Sequence, residues 1–129
     1  NGTFSPRQRE LYAIVLEAQK QAIATMRPGV TEQEVHQAAY AVFEAHGLAQ
    51  YGYGRCGHSV GLSIHDVYEY PDPPLEPGVV VVIEPFLMLP DEGIGIRLEV
   101  GVLITETGHE ILPHPPQEIE AVEAACRRN

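Results

Sequence analysis

The sequence GVVVVIEP, residues 78–85, is a run of β-branched residues that ends in a glutamate and a proline. Such a run is typical of a strand that is buried on both faces of a sheet. Alternation along the strand places Val80, Val82 and Glu84 on one face. Because a carboxylate in an apolar setting is costly to bury unless it is paired or binds a cation, Glu84 is either a solvated strand end or a functional group.

The segment GHSVGLSIHD, residues 57–66, contains two histidines in a strand-like setting. His58 has small neighbours, which leave room for its imidazole to reach a ligand. His65 follows seven residues later, an odd offset that turns the two side chains to opposite faces of a regular strand. A bend near Ser63 would bring both into one cavity. The alternatives are two ordinary core or surface histidines, with His65 paired to Asp66.

The segment GIRLE, residues 95–99, places Arg97 and Glu99 on one face of a third strand-like stretch. One histidine and two glutamates, His58, Glu84 and Glu99, form a hard, oxygen-rich donor set that suits manganese, zinc or cobalt. We therefore predict that these three side chains converge on a divalent metal. The alternative for Arg97 and Glu99 is an ion pair on an exposed face, which has little energetic weight.

The composition predicts one globular domain, residues 1–129, with 44% hydrophobic and 20% charged residues. The net charge of −10, from 8 Lys and Arg against 18 Asp and Glu, argues against nucleic acid and anionic membranes as partners. The longest apolar run is too short to span a bilayer, and no signal peptide is visible.

Cys56 and Cys126 lack metal spacing and are interpreted as reduced thiols of a cytoplasmic protein, with a disulfide as the alternative.

Capping residues and periodicity predict the order α-α-β-β-β-β-α. Strands that follow one another with short turns favour an α+β fold, an antiparallel sheet backed by helices, over a doubly wound parallel sheet. The predicted elements are a helix from Ser5-Pro6 to Arg27, a helix from Thr31 to Gly47, strands over 58–64 and 79–85, a hairpin of 95–105 and 110–112, and a helix over 117–127.

The order of these motifs resembles the C-terminal part of the catalytic domain of the pita-bread metallopeptidases. This family comprises Xaa-Pro aminopeptidases, Xaa-Pro dipeptidases (prolidases), methionine aminopeptidases and creatinases, and the proline-specific members are the most similar. The resemblance implies a pita-bread fold whose N-terminal strands are missing here. The segments that carry it are Gly2 to Tyr12, Arg27-Pro28-Gly29-Val30, 57–66, Leu75-Glu76-Pro77-Gly78, Ile83-Glu84-Pro85, 93–99 and Thr105-Glu106-Thr107-Gly108.

The resemblance also implies a role for each site residue. His58 would be a metal-binding histidine, Glu84 a metal ligand and proton shuttle, and Glu99 the carboxylate that bridges two metals. His65 would steady the substrate or the tetrahedral intermediate, and Arg97 would join the polar network around the substrate. The implied substrate is a peptide with proline at its second position.

This sequence departs from the family pattern at several positions. The family uses five metal ligands, and two of them are aspartates that precede the segment resembling residues 2–12. The aspartates of this chain, Asp66, Asp72 and Asp91, do not occur in that context. Gly54 stands where proline-specific members usually carry a histidine, and Val100 stands where an acidic residue often follows the bridging glutamate.

These departures leave three functional hypotheses. The first is a metal-dependent Xaa-Pro aminopeptidase or dipeptidase that is incomplete in this chain, with weak or absent dinuclear metal binding and little turnover. The second is a non-catalytic pita-bread-like binding module, and the third is a creatinase-like C–N hydrolase. An unpaired sheet edge and an uncovered apolar face also predict a homodimer.

Overall fold

Side-chain caps fix where the two N-terminal helices begin. In the computed structural model, which describes residues 2–66 and 72–127, helix α1 (Pro6–Thr25) starts after Ser5 and helix α2 (Glu32–Ala45) starts after Thr31. Both N-termini form reciprocal capping boxes, with Gln8 and Glu34 as the second partners. The two helices predicted from these residues are confirmed.

The strands form two antiparallel sheets. The four-stranded sheet has the order β1 (Gly57–Val60), β2 (Val80–Ile83), β5 (Val100–Ile104) and β6 (His109–Ile111), and β3 (Phe86–Leu89) pairs with β4 (Ile94–Arg97). Helix α3 (Ile119–Cys126) follows, and two 3₁₀ turns, Ala49–Tyr51 and Pro90–Glu92, complete the elements of the described residues.

Three strand predictions are corrected by the structure. The strand predicted over 58–64 ends at Val60, because the chain bends at Gly61. The stretch 95–105 is divided between β4 and β5, where the chain passes from one sheet to the other. Strand β3 was not predicted at all, since it follows Pro85 directly and spans only Phe86–Leu89.

The core lies on one face of the four-stranded sheet, against α1 and α2. Val81 and Ile83 of β2 are 1% exposed, and Val102 of β5 is fully buried. Val80 and Val82, on the other face of β2, are only partly buried. The prediction that this strand is buried on both faces is therefore wrong, and the open face is the one that carries the candidate site.

The first and last parts of the described chain meet at Glu123 on α3. The Glu123 side chain is 11% exposed, and its Oε1 accepts hydrogen bonds from the backbone N–H of Phe4 (3.0 Å) and from Arg9 Nη1 (3.2 Å). Arg9 also pairs with Glu120. These contacts hold α3 against the segment that leads into α1.

The two cysteines, Cys56 and Cys126, are free thiols in the structure, the first buried and the second exposed. Burial raises the pKa of the Cys56 thiol to about 12. The Cys56 thiol is therefore protonated at neutral pH. Among the described residues, no helix combines the length and the apolar character needed to cross a membrane.

Candidate active site

The strand register brings the predicted ligands to the open face of the sheet. His58 on β1 lies opposite Val82 on β2, and Ile83 at the end of β2 lies opposite Val100 at the start of β5. Glu84 and Glu99 are the next residues along these two strands, one step beyond that pair. Since partners across an antiparallel ladder point to the same face, His58 lies on the face of Val82, and the contact between His58 and Glu84 places Glu84 there as well.

The Glu84 carboxylate lies between an imidazole and a guanidinium. His58 Nε2 is 3.6 Å from Glu84 Oε1, and Arg97 Nη1 is 3.4 Å from Glu84 Oε2. The side chain of Glu84 is 16% exposed and that of His58 is 21% exposed. These distances exceed those of good hydrogen bonds, so Arg97 attracts the Glu84 carboxylate electrostatically while the carboxylate oxygens are left available for a further partner.

His65 joins this group through the bend that follows β1. Gly61 N–H donates to the Ser63 carbonyl (3.2 Å) and Asp66 N–H donates to the Ser59 carbonyl (3.1 Å), which folds the segment back on itself. The rings of His58 and His65 consequently lie 4.3 Å apart, tilted by 59°. The predicted bend near Ser63 is confirmed, and it places both imidazoles on one side of the sheet.

Arg97 is oriented by an aromatic residue that the sequence analysis did not single out. The guanidinium carbon of Arg97 lies 4.7 Å from the centre of the Phe86 ring, within the range of a cation–π interaction. Tyr53 meets the same ring edge-on, at 5.9 Å between ring centres. Phe86 and Arg97 are cross-strand partners in the β3–β4 hairpin. Because strand β3 was not predicted, this contact could not be predicted either.

Glu99 does not join the His58–Glu84–Arg97 group by direct contact. It is exposed, and its backbone carbonyl accepts a hydrogen bond from Gln117 Nε2 at 3.0 Å. Within residues 2–66 and 72–127, no group of three His, Cys, Asp or Glu side chains lies close enough together to hold a metal ion. His58 and Glu84 thus fit as a pair of donors, and the three-donor site remains a prediction.

A comparison with known protein families identifies the family of this chain. Residues 1–106 match the profile of metallopeptidase family M24. The chain belongs to this family. The M24 match includes all five residues predicted for the site, His58, His65, Glu84, Arg97 and Glu99.

Individual M24 relatives agree with the match. The chain is 39% identical over 121 residues to the Xaa-Pro dipeptidase of Pyrococcus furiosus, an alignment that covers 92% of this chain and 34% of that protein. It is 35% identical to Xaa-Pro aminopeptidase 2 of Streptomyces coelicolor, covering 94% of this chain and 33% of the relative. The chain thus spans about a third of the length of these relatives.

A solved structure of the M24 type supports the fold. The prolidase from Pyrococcus horikoshii OT3 matches with a TM-score of 0.84 and 36% identity, over 92% of this chain and 35% of that protein. The predicted α+β fold of the pita-bread type, with an antiparallel sheet backed by helices, is confirmed. The similarity between this chain and the proline-specific peptidases is confirmed as well.

Proposed function

We propose that this chain forms part of the active site of a metal-dependent Xaa-Pro aminopeptidase or dipeptidase. The observation that carries the proposal is the Glu84 carboxylate held between His58 and Arg97, with His65 beside His58. Membership of the M24 metallopeptidases supports metal use, and the named relatives are Xaa-Pro peptidases. The proposed substrate is a peptide with proline at its second position.

Each proposed role follows from the chemistry of the side chain. A divalent cation, manganese, zinc or cobalt, would be bound by His58, Glu84 and Glu99, and it would supply Lewis acidity that makes a water molecule acidic. Glu84 accepts the proton of the attacking water and passes it to the leaving amine. His65 donates a hydrogen bond to the developing oxyanion. Arg97, whose Nη1 lies 3.4 Å from Glu84 Oε2, holds the carboxylate in place.

A non-catalytic binding module is the second candidate function. It is favoured by the finding that the described residues contain no group of three donors, and by Gly54 and Val100 at positions where the family pattern usually has other residues. Under this hypothesis the ion pairs of Glu84 with His58 and Arg97 are structural. Metal binding separates the two candidates.

Manganese titration of residues 1–129 tests the proposal directly. We expect at most one weakly bound Mn²⁺ per chain, because His58, Glu84 and Glu99 offer too few donors for two cations. The loss of the free Mn²⁺ signal in electron paramagnetic resonance measures the binding. His58→Ala should abolish the binding, whereas His114→Ala should not, because it removes an exposed histidine whose Nδ1 lies 2.7 Å from the adjacent Pro115 carbonyl.

One outcome of this titration would contradict the proposed metal site, and another would contradict the expectation that the donor set is incomplete. Equal binding by wild type and His58→Ala would remove His58 from the metal site and favour the binding module. Two tightly bound Mn²⁺ ions per wild-type chain would show that the donor set in this chain is complete, against the expectation of weak or absent dinuclear binding.

We also propose that the chain forms a homodimer through apolar surface around the site. Leu62 and Ile64 are 107% and 78% exposed, and the open face of the sheet carries the partly buried Val80 and Val82. Covering this surface would stabilise the assembly by the hydrophobic effect. Light scattering at micromolar concentration should give the mass of two chains, and a clean monomer would contradict the proposal.

We also propose that the protein is cytoplasmic. Its structural support is the pair of free thiols, Cys56 and Cys126, since thiols persist in reducing compartments.

A further inference from the structure

A glutamine is completely buried in the core beneath the candidate site. Gln19 of α1 is 1% exposed, and its apolar neighbours on the same helix, Val15, Ala18 and Ala22, are fully buried. A primary amide is costly to bury unless it forms hydrogen bonds. Its Nε2 donates one to the backbone carbonyl of Ile83, at 3.2 Å. A leucine would fill the same space without this requirement, so the choice of glutamine calls for a reason other than packing.

The hydrogen bond from Gln19 acts on the peptide unit that leads into Glu84. The carbonyl of Ile83 and the N–H of Glu84 belong to the same planar group. Gln19 holds the oxygen from the helix side, and the Cys56 carbonyl accepts the Glu84 N–H from the β1 side, at 2.6 Å. Pro85, which follows, is fully buried and has a restricted φ. The backbone on both sides of Glu84 is thus fixed by contacts to two different parts of the fold and by the restricted φ of Pro85.

We infer that Gln19 is a positioning residue for Glu84, whose amide fixes the Ile83–Glu84 peptide plane and so directs the carboxylate toward His58 and Arg97. The inference rests on the proposed role of Glu84 in catalysis. Rotation of this peptide unit would swing the Glu84 side chain, and the His58 and Arg97 distances of 3.6 and 3.4 Å depend on its direction. Gln19 itself lies in the core and does not touch the substrate.

Amide hydrogen exchange, followed by NMR on residues 1–129, tests the inference. Gln19→Leu keeps the volume and removes the donor. We expect exchange of the Glu84 amide to accelerate about tenfold more than exchange of Val102 in the centre of the sheet, the effect of about one hydrogen bond. The ring resonances of His58 should shift in the same variant. Equal acceleration at Glu84 and Val102, with unshifted His58 resonances, would overturn the inference, since it would show uniform destabilisation only.

Tyr12→Phe is the matched control for losing a hydrogen bond made by α1. The Tyr12 hydroxyl donates to the Gln117 carbonyl at 2.8 Å, away from the candidate site. In this variant, the ratio of the amide exchange rates of Glu84 and Val102 should be the same as in wild type. The ring resonances of His58 should not shift. If Tyr12→Phe shifts them as much as Gln19→Leu does, the effect is not specific to the peptide unit, and the inference fails.

Two further measurements keep the test decisive. If Gln19→Leu does not fold, the Nε2 protons of wild-type Gln19 should still exchange at least about tenfold more slowly than those of the exposed Gln21, and equal rates would overturn the inference. In an active enzyme that contains this chain, Gln19→Leu should lower kcat and leave KM nearly unchanged. A finding that catalysis does not require Glu84 would contradict the proposed function. It would leave the exchange results for Gln19 untouched, because those measurements do not depend on turnover.

Discussion

Under the proposed function, Glu84→Gln should sharply lower kcat for peptide hydrolysis by a complemented form of this chain. The complemented form is residues 1–129 joined to, or mixed with, an upstream segment of an M24 relative, chosen to supply the two aspartates that the family resemblance implies. Glutamine keeps the shape of Glu84 but can neither accept a proton nor carry the charge that pairs with His58 and Arg97. We expect kcat for an Xaa-Pro dipeptide to fall by about 10²–10⁴-fold, the usual contribution of a general base.

The controls for this experiment lie within the same chain. Glu106→Gln makes the same chemical change in an exposed turn beyond the far end of β5 and should leave kcat unchanged. Residues 1–129 alone should hydrolyse the substrate at near-background rates. Robust metal-dependent turnover by residues 1–129 alone, lost with Glu84→Gln, would show that no further ligands are needed. An unchanged kcat in the complemented Glu84→Gln enzyme would remove Glu84 from the mechanism.

The second large effect is expected for Gly57→Ala, immediately before His58. A Cβ at Gly57 would lie 2.1 Å from the backbone oxygen of Val82, a distance at which β1 must move away from β2. Because the obstacle is backbone, no side-chain rotation relieves it. We expect the free energy of unfolding to fall by about 3 kcal/mol or more, at the upper end of overpacking effects. Urea denaturation followed by circular dichroism measures this loss.

Gly108→Ala provides the matched comparison for Gly57→Ala. A Cβ at Gly108, in the turn between β5 and β6, would meet nothing within 4 Å. Its free energy of unfolding should therefore change by no more than about 0.5 kcal/mol. If Gly57→Ala is as mild as Gly108→Ala, the close approach of β1 to β2 is not a requirement of the fold.

Local signals predicted the helices well and the strands less completely. Ser5 and Thr31 cap their own helices, so a few adjacent residues are enough to locate the two N-termini. The break between β4 and β5 is different. Leu98 and Val100 are both buried, and the alternation of buried and exposed positions continues through the place where the chain changes sheets. Because the alternation of buried and exposed residues is the same on both sides of the break, it does not show where β4 ends and β5 begins.

In the candidate site, too, local sequence patterns predicted some features, whereas contacts that depend on the tertiary fold were missed. Strand alternation correctly grouped Val82 with Glu84, and the odd spacing of His58 and His65 correctly required a bend. Phe86 could not be found, because its partner Arg97 is brought to it by a hairpin. Gln19 left a weak signal, since it interrupts the apolar stripe of α1 at a position where a core residue is expected.

The anchoring of α3 by Glu123 has a consequence for how this piece of sequence can be recombined. With Phe4 and Glu123 in direct hydrogen-bonded contact, the segment before α1 and the helix α3 lie side by side. Positions that lie this close can be joined by a short linker, with the chain opened elsewhere, at little cost in strain. A circular permutant that links the segment before α1 to the end of α3 is therefore expected to keep the fold.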